Sequence, residues 1–149
     1  VRLTVSDTDS AKTARCKQEF AATVVATQEI FAIECDIFAP CGLGGILNDQ
    51  TIASLRCSIV AGAANNQLQL DKHGLMLHQR GILYAPDYVI NAGGLITVSL
   101  GYLKQDIQTI RKRTLGLEET LLDLFARSHA EDCPPDVIAD RMAEDILYN

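Results

Sequence analysis

The chain lacks an excess of positive charge. Its 13 lysines and arginines are outnumbered by 19 aspartates and glutamates, giving a formal net charge of −6. That balance argues against nucleic acid or an anionic membrane surface as the main partner. The one basic run, Arg111-Lys112-Arg113, falls in a segment of helical periodicity and reads as a solvated helix face. Long hydrophobic runs are missing too. The longest weakly polar stretch, residues 89–103, is broken by Asn91, Thr97 and Ser99 and is too short to span a bilayer. The opening residues carry no signal-peptide pattern. Paired cysteine spacing is also absent: five cysteines stand at 16, 35, 41, 57 and 133. An odd, scattered set suggests a reducing, cytoplasmic compartment rather than a disulfide framework or a zinc site.

What is present is the balance of a soluble globular domain. Apolar residues make 48% and charged residues 21% of a 149-residue chain, a length that suits one domain with a real core. Short β-prone runs are expected at 2–6, 23–25, 35–39, 58–61 and 82–85, the third stopped by Pro40 and the last by Pro86. Helical patterns separate them. The first is capped by Asp9 or Ser10, with Ala11, Ala14 and Cys16 through Phe20 expected to face inward. Others cover 51–55, capped near Asp49, and 71–80. Helices over 90–103, 104–130 and 135–147 fill the C-terminal third, which should close over the sheet or dock on a neighbouring domain. Strands alternating with helices predict an α/β fold with a mostly parallel sheet covered on both faces. In such sheets ligands bind beyond the carboxyl ends of the strands.

That rule selects Asp7, residues 39–45, residues 62–66 and residues 86–94. Gly42, Gly44 and Gly45 in "CDIFAPCGLGGILND" imitate a phosphate-cradling loop. The imitation fails, because the third glycine slot is Leu47 and Gly62, Ala63 and Ala64 stand where a ribose-binding acid is needed. Asp7 can hold a ribose or simply shape a turn. Asn65 and Asn66 offer paired donors and acceptors, or an ordinary turn. Asn91, with Gly93 and Gly94, lets a flat ring approach backbone, or marks a tight helix contact. Cys41 as a nucleophile with His73 or His78 is disfavoured, since nothing places those side chains together. His73 and His78 are five apart, on different helix faces, and His129 has no evident partner; no metal site is expected.

Taken in order, "SDTDSAKT", "ECDIFAPCGLGGILND", "IVAGAANNQL", "KHG", "GILYAPDYVINAGGLI" and "ADRMAEDI" resemble the nicotinamide-binding domain of the glutamate, leucine, phenylalanine and valine dehydrogenases, the leucine branch above all. The resemblance implies a Rossmann-like, doubly wound α/β sheet that binds NAD. Asp7 would hold the adenine ribose, and Ala39, Pro40 and Cys41 would line the nicotinamide ribose. Asn65 and Asn66 would approach the nicotinamide, Asn66 also the substrate carboxylate, and Asn91 the carboxamide. Leu95 and Val98 would contact the substrate side chain, and their apolar character suits an aliphatic or aromatic amino acid. The implied reaction is reversible NAD-dependent oxidative deamination of a branched-chain or aromatic L-amino acid to the 2-oxo acid and ammonia, in a parent protein that is a homo-oligomer.

Three departures qualify the resemblance. The family has alanine at the place of Gly42, and "TVSLGYLKQD" is shorter and less acidic than its counterpart. The chain also starts at what would be the second strand, so the first strand, its glycine-rich turn and the preceding catalytic domain with its lysines and aspartate are expected to lie outside it. No catalytic residue is assignable here, and the chain alone is expected to be inactive. In the order 3-2-1-4-5-6 the first strand is central. Its neighbours, the runs at 2–6 and 35–39, must then pair with each other, keep unpaired edges, or take a strand from another chain. A rival reading is a catalytically dead nucleotide-binding or assembly module derived from the same family.

Overall fold

The computed structural model describes residues 1–148. Five short strands are all parallel to their neighbours and fall into two sheets. β1 (Thr4–Val5) pairs with β2 (Thr23–Val24), the register setting Thr4 against Thr23. β4 (Arg56–Val60) lies between β3 (Glu34–Phe38) and β5 (Leu83–Tyr84). Among the described residues β1 and β3 are not hydrogen-bonded to each other. Of the three outcomes open to these strands, pairing with each other is the one the structure does not take.

The crossovers follow from local chemistry. α1 (Ser10–Phe20) starts where Asp9 Oδ1 accepts from the N–H groups of Ala11 and Lys12, and it ends at Ala21 in the left-handed region. Its inward face differs from expectation. Thr13 is its one buried residue, while Ala11 and Ala14 are exposed and Phe20 is 63% exposed. The reason is physical: two strands of two residues each offer α1 little apolar surface to cover. α2 (Asp49–Ser54) is too short to persist alone. A reciprocal cap holds it: Asn48 Oδ1 accepts from Gln50 and Thr51 N–H at 3.0 and 3.1 Å, and Thr51 Oγ1 accepts from Asn48 N–H at 3.0 Å. Such a cap is worth about 1 kcal/mol, and it sits one residue before the expected Asp49.

α3 (Lys72–Gln79) leads into β5. Beyond β5, two expected helices are each broken in two. Residues 90–103 form the end of α4 (Asp87–Ile90) and α5 (Gly93–Tyr102), separated at Asn91, whose ψ is 0°. Residues 104–130 form α6 (Ile107–Leu115) and α7 (Leu117–Glu131). Lys104 takes a positive φ of 56° and Asp106 caps α6, so the chain cannot run on from α5. α8 (Pro135–Tyr148) is the last element among the described residues.

Two cores result. The main one joins Phe38, Leu47, Ile52, Val60, Leu77 and Tyr84 between the larger sheet and its crossovers. The second joins Leu124, Ile138 and Ala139, with Val89 and Phe125 against them. Tyr88 clamps α8, its hydroxyl donating to Asp140 Oδ1 at 2.7 Å. Gly74 on α3 packs so closely on α8 that a Cβ there would overlap the Asp136 carboxylate. The C-terminal helices thus dock beside β5, and α5 buries no residue at all.

Candidate functional site

The carboxyl ends of β3, β4 and β5 lie at one edge of their sheet, because the strands are parallel. Three loops leave that edge and are tied to one another. The loop after β3 carries Ala39, Pro40 and Cys41; Pro40 is buried, and Ala39 and Cys41 are exposed. The Pro40 carbonyl accepts from Ala64 N–H at 2.9 Å. Gly62 makes that approach possible, since a Cβ on it would overlap the backbone N and O of Pro40.

Further along, Gly44 and Gly45 draw the same loop against the asparagine pair. A Cβ on Gly44 would stand 2.9 Å from the carbonyl oxygens of both Asn65 and Asn66. Gly45, at φ 70°, donates its N–H to Asn66 O at 2.7 Å. Gly44 is therefore a packing glycine, and Gly45 serves a left-handed turn. Gly42 is different: nothing lies within 4 Å of a Cβ there.

Asn65 and Asn66 are exposed, and Asn66 sits at φ 51°, a left-handed conformation that asparagine tolerates. Asn91 reaches them from the loop after β5. Its Nδ2 donates to Ala63 O at 3.0 Å, to Ala64 O at 3.1 Å and towards Asn65 Oδ1 at 3.2 Å. Two of those partners are carbonyls, which fixes which end of the amide is nitrogen. Sequence reasoning selected all three asparagines; the structure brings Asn65 and Asn91 into contact and sets Asn66 beside them.

Gln67 was not among the selected residues. It is fully buried, and its Nε2 donates to Gly62 O at 2.8 Å and Ala64 O at 2.9 Å. A second amide thus fastens the Asn loop from inside. The signal in the sequence was a third amide directly after "NN".

The other selected residues stand apart. Asp7 stands two residues beyond β1 of the smaller sheet, exposed, and accepts from Asp9 N–H at 2.8 Å, the geometry of a local turn. Leu95 and Val98 are each 71% exposed on α5. His73 is buried and accepts Leu70 N–H on Nδ1 at 2.9 Å, while His78 meets Asp132 at 3.1 Å. Neither bonds to exposed Cys41. Burial pushes the Cys35 and Cys57 thiols above their ordinary value, the wrong direction for a nucleophile. A recess of about 540 Å³ lined by Lys17, Ala22 and Thr23 opens at the amino end of β2 and contains none of the selected residues.

Comparison with known proteins gives a consistent result. Residues 3–130 match the family described as glutamate/leucine/phenylalanine/valine dehydrogenase. The chain is 46% identical over 144 residues to leucine dehydrogenase of Thermoactinomyces intermedius, an alignment covering 97% of this chain and 39% of that protein. It is 47% identical over 150 residues to L-tryptophan dehydrogenase of Nostoc punctiforme, covering 100% and 42%. The crystal structure of the latter superposes with a TM-score of 0.93 at 48% identity, over 97% of this chain and 44% of that one. The chain thus spans about two fifths of the length of the curated relatives it matches.

Proposed function

Because the chain belongs to the glutamate, leucine, phenylalanine and valine dehydrogenase family, we propose that it is the NAD-binding part of an amino-acid dehydrogenase acting on a branched-chain or aromatic L-amino acid. The observation that carries the reading is the tie between Asn91 and the Ala63–Asn65 carbonyl loop. The family implies a nicotinamide cofactor, and the residues at this edge fit one. Asn91 has its nitrogen committed to protein carbonyls, which leaves Oδ1 as an acceptor for a carboxamide N–H. Gly62 and Pro40, in contact, keep side-chain bulk out of the space between the two loops.

Bound there, a nicotinamide dinucleotide supplies the hydride acceptor for oxidation of the amino acid at its Cα. The chain's own residues bind and orient. Ala39, Pro40 and Cys41 border the nicotinamide ribose, and Asn65 and Asn66 face the ring. Asn66 also faces the substrate carboxylate, and Asp7 takes the adenine ribose. Leu95 and Val98 contact the substrate side chain from α5, and two apolar groups there favour an aliphatic or aromatic side chain over a charged one. Proton transfers are assigned to lysine and aspartate side chains of a separate catalytic domain, so the chain alone binds without turnover. On this reading the whole protein works in the cytoplasm as a homo-oligomer.

The test is titration of the chain with NADH, followed by NADH fluorescence, with NADPH in parallel. Saturable NADH binding weakened by Asn91→Ala supports the reading; no binding, or binding indifferent to Asn91, would overturn it. Leucine- or phenylalanine-dependent NADH formation by the chain alone would contradict the division of labour.

A further inference from the structure

Asp87 has a role that neither its helix nor its core requires. It is 8% exposed, and its Oδ2 accepts two bonds, from Gln67 N–H at 2.9 Å and from the Tyr84 hydroxyl at 2.9 Å. Both donors are neutral and buried. Burial, then the neighbouring Asp87 charge, push the Tyr84 hydroxyl well above its ordinary value, so it stays protonated and keeps donating. A buried carboxylate without a cation partner is a poor source of stability, and an apolar residue of similar size often serves a core better. What the carboxylate does supply is a fixed acceptor beneath Gln67.

The consequence lies in the loop between β4 and Gln67. Gln67 is held at its backbone by Asp87, and its side chain then holds the carbonyls of Gly62 and Ala64. Asn91 is one helical turn beyond Asp87, with Asn91 N–H donating to Asp87 O at 2.9 Å, and it holds the carbonyls of Ala63 and Ala64. One turn of chain therefore carries both anchors of the loop. Between them lie Asn65 and the left-handed Asn66. Gln67 Oε1 is buried with no partner, a further cost borne by this arrangement.

We propose that Asp87, acting through Gln67 and with Tyr84 as its second donor, is the positioning residue that sets the Asn65–Asn66 loop for the ligand. This rests on the nicotinamide reading for the identity of the ligand, but not for the effect on the loop. Asp87 touches no reacting atom; it acts through Gln67.

The experiment compares Asp87→Leu, which removes the acceptor and keeps the branch at Cγ, with Asp87→Asn, whose one oxygen can still receive both donors. Leu124→Ala, in the second core, is the control for general loss of stability. Three readouts are taken on the full chain: NADH affinity, thermal unfolding, and hydrogen exchange of the Ala63–Gln67 amides. Asp87→Leu should weaken NADH binding and speed exchange in that loop by about tenfold or more, the scale of one buried polar group left unpaired. Asp87→Asn should recover most of both. Leu124→Ala should lower the unfolding temperature comparably, with no selective change in the loop.

Equal effects of Asp87→Leu and Leu124→Ala on the loop would overturn the proposal, as would failure of Asp87→Asn to recover. If the unaltered chain binds no NADH, the nicotinamide reading falls and the exchange comparison alone decides the network. Should Asp87→Leu not fold, Tyr84→Phe removes one donor, and unchanged loop exchange in that variant would also overturn it.

Discussion

The two sheets hold their candidate site residues in different ways. Around β3, β4 and β5, each loop at the carboxyl edge is fastened by another loop: Pro40 to Ala64, Gly45 to Asn66, Asn91 to Ala63 and Ala64. In the β1–β2 sheet, Asp7 is held by a bond two residues away, and α1 by its own cap. Local bonds can shape a turn, but they cannot fix a distance between residues from separate segments. Preorganised geometry of the kind a ligand needs is therefore built into the larger sheet, and Asp7 depends on whatever orders its own sheet.

Overpacking should expose the contrast most strongly at Gly62. A Cβ there overlaps Pro40 backbone, which cannot rotate aside. Gly62→Ala should cost about 3 kcal/mol, the upper range for overpacking, read by urea unfolding. Near-normal stability would mean the two loops are not locked together. Gly44→Ala should follow at roughly 2 kcal/mol, because its Cβ meets two carbonyls at 2.9 Å. It should also weaken NADH binding, since those carbonyls belong to Asn65 and Asn66.

The other side of the comparison is tested at the α1 cap. Asp9→Ala removes the acceptor for Ala11 and Lys12 N–H and should cost about 1 kcal/mol. The loss should stay local, with faster hydrogen exchange in α1 and unchanged protection in β3 and β4. If protection falls across both sheets together, the two are one cooperative unit and the contrast drawn above is wrong.

The same division explains what could be read from sequence. Strand ends just before Pro40 and Pro86 are legible because proline stops a run locally, and the cap of α2, Asn48, is the neighbour of Asp49, near which it is expected. Asn65, Asn66 and Asn91 were legible as residue types at strand ends. Their contact was not, because it depends on how β4 and β5 align, and that register is set by packing among distant segments. Gln67, and Asp87 within the segment 86–94, do not stand out singly for the same reason: their bond spans 20 residues. The inward face of α1 was misread because an apolar stripe predicts burial only where a sheet is there to cover it. Leu95 and Val98 were selected through the family resemblance, and the chain itself encloses neither.

A pH effect sharpens the picture where α8 packs on α3. Burial raises Asp136 above the ordinary aspartate value, with the Asp140 and Asp71 charges adding to it, while backbone N–H groups of α8 oppose the shift. A folded-state value above the unfolded one means that its stabilisation is complete below the unfolded value and is lost as pH rises through the folded value. Asp136→Asn cannot ionise. Its unfolding temperature should exceed that of the unaltered chain near neutral pH, and the gap should shrink as pH falls towards ~4. A gap that widens on acidification would show that the carboxylate is held by donors, not penalised by burial.

The smallest effect is expected at Gly42, and it separates two glycines two positions apart. Gly42 has no positive φ, and a Cβ on it meets nothing within 4 Å. Alanine there adds no clash and narrows the unfolded ensemble, so Gly42→Ala should stabilise the chain by about 0.4–1 kcal/mol. Gly44→Ala, in the same loop, should do the opposite. NADH titration of Gly42→Ala then asks what occupies the open space beside Gly42. Unchanged affinity leaves the Gly44–Asn66 contact as the feature that matters in this loop. A clear loss would put the ligand over Gly42 and move the centre of the site from the asparagine pair towards Cys41.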